Sequence, residues 1–248
     1  MNLIVDIGNT AAKIAVIDEN EIVARRISER LTDADFDELF ERYKLIDKAI
    51  VSSSGSCGDE VAAMLERRAD YVLKLDAETP IPLRNGYATP ETLGPDRIAA
   101  AVGAQKIYGR RNMMIVDFGT AITVDLVIDG EFKGGNISPG LSIRFRALHE
   151  YTAKLPLCAP TSERLDFGTT TRTAIEQGVM TGVEHEIGGY IAEFEKKYEN
   201  LCIIFTGGDA IFFDKRIKNT IFASRELNFF GLNEILEYNV DATKRSKI

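Results

Sequence analysis

The sequence predicts an α/β fold built twice in one chain, as two lobes with mixed sheets and a cleft between them. An internal repeat and a repeated order of elements predict it. Aligning Leu3 with Met114 lays LIVDIGNTAAKIAVID over MIVDFGTAITVDLVID without gaps, and seven of the 16 positions are identical. Each copy reads as an apolar strand, a short Gly-containing turn and a second apolar strand. In both halves helices and strands then follow, a pattern that builds a layered α/β domain with a mixed sheet.

The elements follow in order. Turns at 18–20 and 129–131 lead each hairpin into a third strand, near 22–27 and 131–135, so each half opens with an antiparallel meander. The first half continues with a helix near 33–43, a strand at 48–52, a helix at 59–68 and a strand at 71–75. The loop 77–93 carries Pro80, Pro82 and Pro90 and reads as irregular. A helix at 95–108 joins the halves, which puts the domains at 1–110 and 111–248. The second half continues with helices near 138–151 and 170–198, a strand at 201–206 and a last helix at 231–238.

Bulk composition narrows the function classes. The 248 residues are 45% hydrophobic and 27% charged, ordinary for a soluble globular protein. No basic leader precedes Leu3, and no apolar run approaches the roughly 18 residues that span a bilayer, so a cytoplasmic protein without membrane partners is expected. A net charge of −8 opposes nucleic acid as the main partner. Cys57, Cys158 and Cys202 lack paired spacing and read as reduced, mostly buried thiols. His149 and His185 have no Ser or Cys partner motif, which leaves His-based nucleophilic catalysis without support.

The polar residues on the two hairpins point to phosphate chemistry. In Asp6-Ile7-Gly8-Asn9-Thr10-Ala11-Ala12-Lys13, Gly8 lets backbone approach a ligand, and N–H groups and the Thr10 hydroxyl suit phosphate oxygens. Lys13 supplies a point charge, and Asp6, at a strand end, suits a magnesium ion. The segment lacks the Walker A pattern. The second copy offers Asp117 toward a metal and Thr120 toward a phosphate, with Thr123 and Asp125 on one strand face. Asp125 reads equally as a structural hydrogen-bond partner. Thr206-Gly207-Gly208-Asp209 follows a strand and suits either a nucleotide or a plain tight turn. Asp96, in Gly94-Pro95-Asp96-Arg97, reads as a helix cap or as the carboxylate that takes a proton in phosphoryl transfer. Arg97 suits a carboxylate or a phosphate.

The duplicated meander with its acidic loops resembles the acetate and sugar kinase, heat-shock ATPase and actin superfamily, whose duplicated actin-like ATPase fold is ribonuclease H-like. Within it DIGNT with Lys13, Tyr87 followed by LGPDR, DFGTAITVD, GGNISPGL and TGGD, in this order, resemble the type III pantothenate kinases. The resemblance implies ATP-dependent phosphorylation of the primary hydroxyl of pantothenate, the first step toward coenzyme A. It implies Asp96 as proton acceptor, and Tyr87, Gly94, Pro95, Asp96, Arg97 and Thr171 at the pantothenate site. Residues Asp6, Ile7, Gly8, Asn9, Thr10, Ala11, Ala12 and Lys13 would hold ATP with Mg2+, with Thr120 as a further ATP contact. Asp117 would bind a monovalent cation, K+ or NH4+, and the protein would be a homodimer. Two other readings stay open: a kinase of this fold for another small hydroxyl substrate such as a sugar, and a non-catalytic regulatory relative.

Overall fold

A computed structural model describes residues 1–8, 10–55, 57–217, 221–222 and 226–245. In chain order the elements begin with β1 (Asn2–Ile7), β2 (Ala12–Asp18), β3 (Glu21–Ser28), α1 (Asp33–Arg42), β4 (Lys48–Ser53), α2 (Gly58–Glu66) and β5 (Tyr71–Lys74). The short β6 (Arg84–Asn85) interrupts the proline-containing loop before α3 (Pro95–Tyr108). Then come β7 (Met113–Phe118), β8 (Ala121–Ile128), β9 (Glu131–Pro139), α4 (Leu141–Glu150), α5 (Thr171–Lys197), β10 (Cys202–Thr206), β11 (Ile221–Phe222) and α6 (Leu227–Arg245). The chain divides into two compact units. One comprises Met1–Gly109 with Glu226–Ile248, the other Arg110–Arg225.

The first unit is built on a mixed sheet of order β3-β2-β1-β4-β5. Its meander β1–β2–β3 is antiparallel, whereas β4 and β5 return parallel to β1. Leu3, Val5, Ile14, Val16, Ala49 and Val51 form one core with Phe36 and Leu39 of α1 and Val61 and Leu65 of α2. Thr32 begins α1 with a capping box, its own backbone N–H bonded to the Asp35 carboxylate at 2.9 Å.

The second unit repeats this frame. Strands β7, β8 and β9 form an antiparallel meander, and β10 and β11 run parallel to β7. Phe118 is buried at the end of β7, stacked on Phe213 at 4.8 Å and edge-on to Phe205 at 5.0 Å. The buried stripe Ile175, Val179, Val183, Ile187 and Ile191 lays α5 on the same core.

The structure corrects the sequence reading in four places. Residues Ser138 and Pro139 extend β9, opposite Ile122 and Ala121, and the helix starts only after Gly140. The last helix is longer than 231–238, because Asn228, Asn233 and Asn239 interrupt its apolar pattern without interrupting the helix. That helix also packs with the first unit rather than the second. Gly103 of α3 and Gly231 of α6 face each other's helix so closely that a Cβ on Gly231 would stand 1.8 Å from the Ala99 carbonyl. Finally, Cys158 and Cys202 are buried free thiols as expected, but Cys57 is exposed.

Candidate active site

In the first unit, strand pairing sets a row of three side chains. Asp6 on β1 has Lys13 beside it on β2 and Ser52 on β4. Asp6 is buried and accepts a hydrogen bond from Ser52 Oγ at 3.2 Å. Burial raises its carboxyl above the usual 3.8, with the nearby Asp96 carboxylate adding to the rise. The Lys13 ammonium and hydrogen bonds from Ser52 and Asn228 oppose it. The fold thus gathers Asp6, Lys13 and Asp96 from three elements. Ser52 and Asn228 were not singled out from sequence. Ser52 sits in a polar Ser-Ser-Ser run that reads only as a strand end, and Asn228 lies far away in sequence.

The turn beyond Asp6 is closed by Gly8 N–H donating to the Ala11 carbonyl at 3.2 Å. The Ile7 carbonyl is occupied by Ser54 N–H at 3.1 Å. Ala12 is buried, and Thr10 and Lys13 are exposed. Asn9 lies outside the described residues.

Asp96 stands exposed in the first turn of α3, after Gly94 at the cap and Pro95 at the first helical position. Its Oδ1 accepts the Arg97 backbone N–H at 3.0 Å. A Cβ at position 94 would lie 2.5 Å from that oxygen, so the glycine leaves room for the carboxylate. Arg97 is buried, its guanidinium 5.5 Å from the centre of the Tyr87 ring. Tyr87 is in turn placed by a bond from its N–H to Asn85 Oδ1 at 3.0 Å. The tip of α3 therefore brings Tyr87, Gly94, Pro95, Asp96 and Arg97 together.

The second unit carries the equivalent row: Asp117 on β7, Thr123 on β8 and Thr206 on β10. Gly207, at φ +90°, passes so close that a Cβ would fall 2.4 Å from Asp117 Oδ1. Thr120 lies exposed at the turn of the hairpin, and its carbonyl accepts Gly140 N–H at 3.1 Å. Asp125 is buried against Gly135, where a Cβ would meet its Oδ1 at 2.5 Å. Thr171 begins α5 and lines a mainly apolar groove of about 880 Å³ with Pro139, Ile143 and Tyr151. The neighbouring Thr170 is committed to the helix cap, its Oγ1 accepting Thr173 N–H at 3.2 Å.

A profile of the type III pantothenate kinases matches residues 2–193. The chain belongs to the type III pantothenate kinase family. A type III pantothenate kinase of Bacteroides fragilis is 43% identical over 240 residues, which cover 96% of this chain and 98% of that relative. Among solved structures, a Baf family protein from Campylobacter jejuni has a TM-score of 0.63 at 22% identity, covering 96% of this chain and 99% of its own. A ROK hexokinase from Thermus thermophilus has a TM-score of 0.55 at 11% identity, covering 95% and 98%. These structural likenesses support the duplicated actin-like fold expected from sequence.

Proposed function

We propose that this family member transfers the terminal phosphoryl group of ATP to the primary hydroxyl of pantothenate, with Asp96 as proton acceptor. The observation that carries the reading is the grouping of Asp96 with Asp6 and Lys13 in the first unit. Phosphoryl transfer needs cationic and metal charge on the phosphates and a carboxylate for the hydroxyl proton. Lys13 holds phosphate oxygens, and Gly8, Thr10 and the neighbouring backbone complete the cradle. Arg97, packed on Tyr87, takes the pantothenate carboxylate, and Thr171 adds a hydroxyl contact. Thr120 contacts ATP.

The residues fit two cations. Asp6 is a buried carboxylate with a raised proton affinity, the environment in which a bound cation offsets desolvation. It suits Mg2+ held largely through phosphates and water, which supplies charge neutralisation when bound. Asp117 suits a monovalent cation, K+ or NH4+, because glycines at 119 and 207 keep Cβ atoms away from its carboxylate. We also propose that the protein is a homodimer, which light scattering tests directly.

The experiment is turnover with pantothenate, ATP and Mg2+ in K+ or Na+ buffer. Phosphopantothenate formed faster in K+ is the expected result. Asp96→Asn should lower kcat by about 10²- to 10⁴-fold, the range for general-base catalysis, while circular dichroism stays that of the parent. Full activity in that variant removes Asp96 from the mechanism, and turnover of sugars instead of pantothenate transfers the site to another acceptor.

A further inference from the structure

A charged cluster behind the second hairpin has no role in the reading above. Arg144 of α4 and Glu186, midway along α5, form a half-buried ion pair at 2.6 Å. Glu186 also accepts the Ser138 hydroxyl through Oε1 at 2.6 Å. Arg144 donates twice more, from Nε to the Pro139 carbonyl at 2.6 Å and from Nη2 to Ser138 Oγ at 3.2 Å. One Glu186 carboxylate oxygen and two guanidinium nitrogens thus converge on the last two residues of β9, and the other carboxylate oxygen holds Arg144 in place.

The next residue transmits that grip. Gly140 is extended (φ −68°, ψ 173°), and its N–H goes to the Thr120 carbonyl. Its Cα lies against the hairpin turn so tightly that a Cβ would stand 2.4 Å from both the Gly119 and the Thr120 carbonyl oxygens. A shift of the Ser138–Gly140 junction therefore has to move the Gly119–Thr120 backbone. A half-buried ion pair contributes little net stability by itself, because desolvation offsets its attraction. Three polar contacts on one strand end, braced by the Arg144–Glu186 pair, fix position instead, as the partners behind a ligand-binding group do.

We infer that Glu186 is a positioning residue for the Gly119–Thr120 turn, acting through Arg144 and the Ser138–Gly140 junction. This rests on the reading that Thr120 contacts ATP and deepens it: Glu186 tunes the nucleotide side of the reaction, not the acceptor side.

Glu186→Ala and Glu186→Gln are compared with the parent by calorimetric binding of ATP–Mg2+ and by KM for each substrate. Glu186→Ala should weaken ATP by about tenfold in both Kd and KM, the equivalent of one charged hydrogen bond. Pantothenate KM should stay within about twofold of the parent on that same scale, where twofold is a small fraction of one such bond. Glu186→Gln keeps an acceptor for Ser138 and should lie between. If the alanine variant fails to fold, the glutamine variant decides: weaker ATP with unchanged pantothenate KM supports the inference. Parental ATP affinity, or equal rises in both KM values, overturns it. A parent that binds ATP but leaves pantothenate unphosphorylated defeats the proposed reaction alone, and the calorimetric comparison still decides the role of Glu186.

Discussion

Burial at Asp6 carries a thermodynamic consequence that a pH series can read. Its folded-state carboxyl is raised above 3.8, so between the unfolded and folded values the native protein binds the extra proton. Stability contributed by this group therefore falls as pH rises through that window, and the cost persists at neutral pH. Asp6→Asn removes the charge and should raise the urea midpoint at pH 7 while abolishing ATP turnover. The gain should shrink as pH is lowered through that window toward 3.8, as the native carboxyl takes up its proton. A variant less stable than the parent at pH 7 would mean that Lys13, Ser52 and Asn228 outweigh burial. Adding ATP–Mg2+ should stabilise the parent and leave the variant unmoved. Asp6 was legible in the sequence because a lone acid ended an apolar strand, twice. Its neighbours Ser52 and Asn228 were not, since only strand register and helix packing bring them to it.

At the scale of elements, the two meanders are copies with one residue removed. Ungapped alignment matches Lys13 with Val124, but strand register puts Thr123 opposite Asp117 where Lys13 stands opposite Asp6. The register shifts agree: they fall at Val16/Ile17 in one copy and Leu126/Val127 in the other, one residue out of step with the sequence repeat. The left-handed turn residues Glu19 (φ 53°) and Asp129 (φ 52°) keep the same spacing as those shifts. The deletion lies in the turn, which spans 8–11 in the first hairpin and 119–121 in the second. Sequence identity showed the duplication, yet it could not locate the gap, because apolar strand residues match at either offset. Thr123, not Val124, therefore stands in the second hairpin where Lys13 stands in the first, and neither offset places a lysine there. Helix packing gives a sharper test. Gly231→Ala sets a methyl 1.8 Å from a backbone carbonyl of α3, which cannot turn aside as a side chain would. The variant should lose roughly 1–3 kcal/mol in urea unfolding, the usual cost of overpacking. Unchanged stability would show that α3 and α6 separate freely.

For the whole molecule, the return of α6 to the first unit determines which pieces of the chain can fold. The Asn2 side chain donates to Asn233 Oδ1 and Glu237 Oε1, each at 2.7 Å, and Lys48 pairs with Glu237 at 2.5 Å. Asn239 donates to the Pro80 carbonyl at 2.8 Å. These contacts tie the last helix to β1, β4 and the loop before α3, and Asn228 reaches Asp6 itself. A fragment of residues 1–109 leaves Asn2 without its two acceptors and strips the cover from Gly103, Ala99 and the rest of that helix face. Buried polar groups left without partners and apolar surface returned to water each cost free energy, and marginally stable domains tolerate few such losses. The fragment 1–109 should therefore show no cooperative urea transition. Joining 226–248 to it through a flexible Gly/Ser linker should restore one, because the closure entropy of a longer linker grows only slowly. Residues 110–225 contain the complete second core and should unfold cooperatively without α6. A cooperative transition in 1–109 alone would show that α6 decorates the first unit instead of completing it, and Asn228 would then be dispensable for the Asp6 environment.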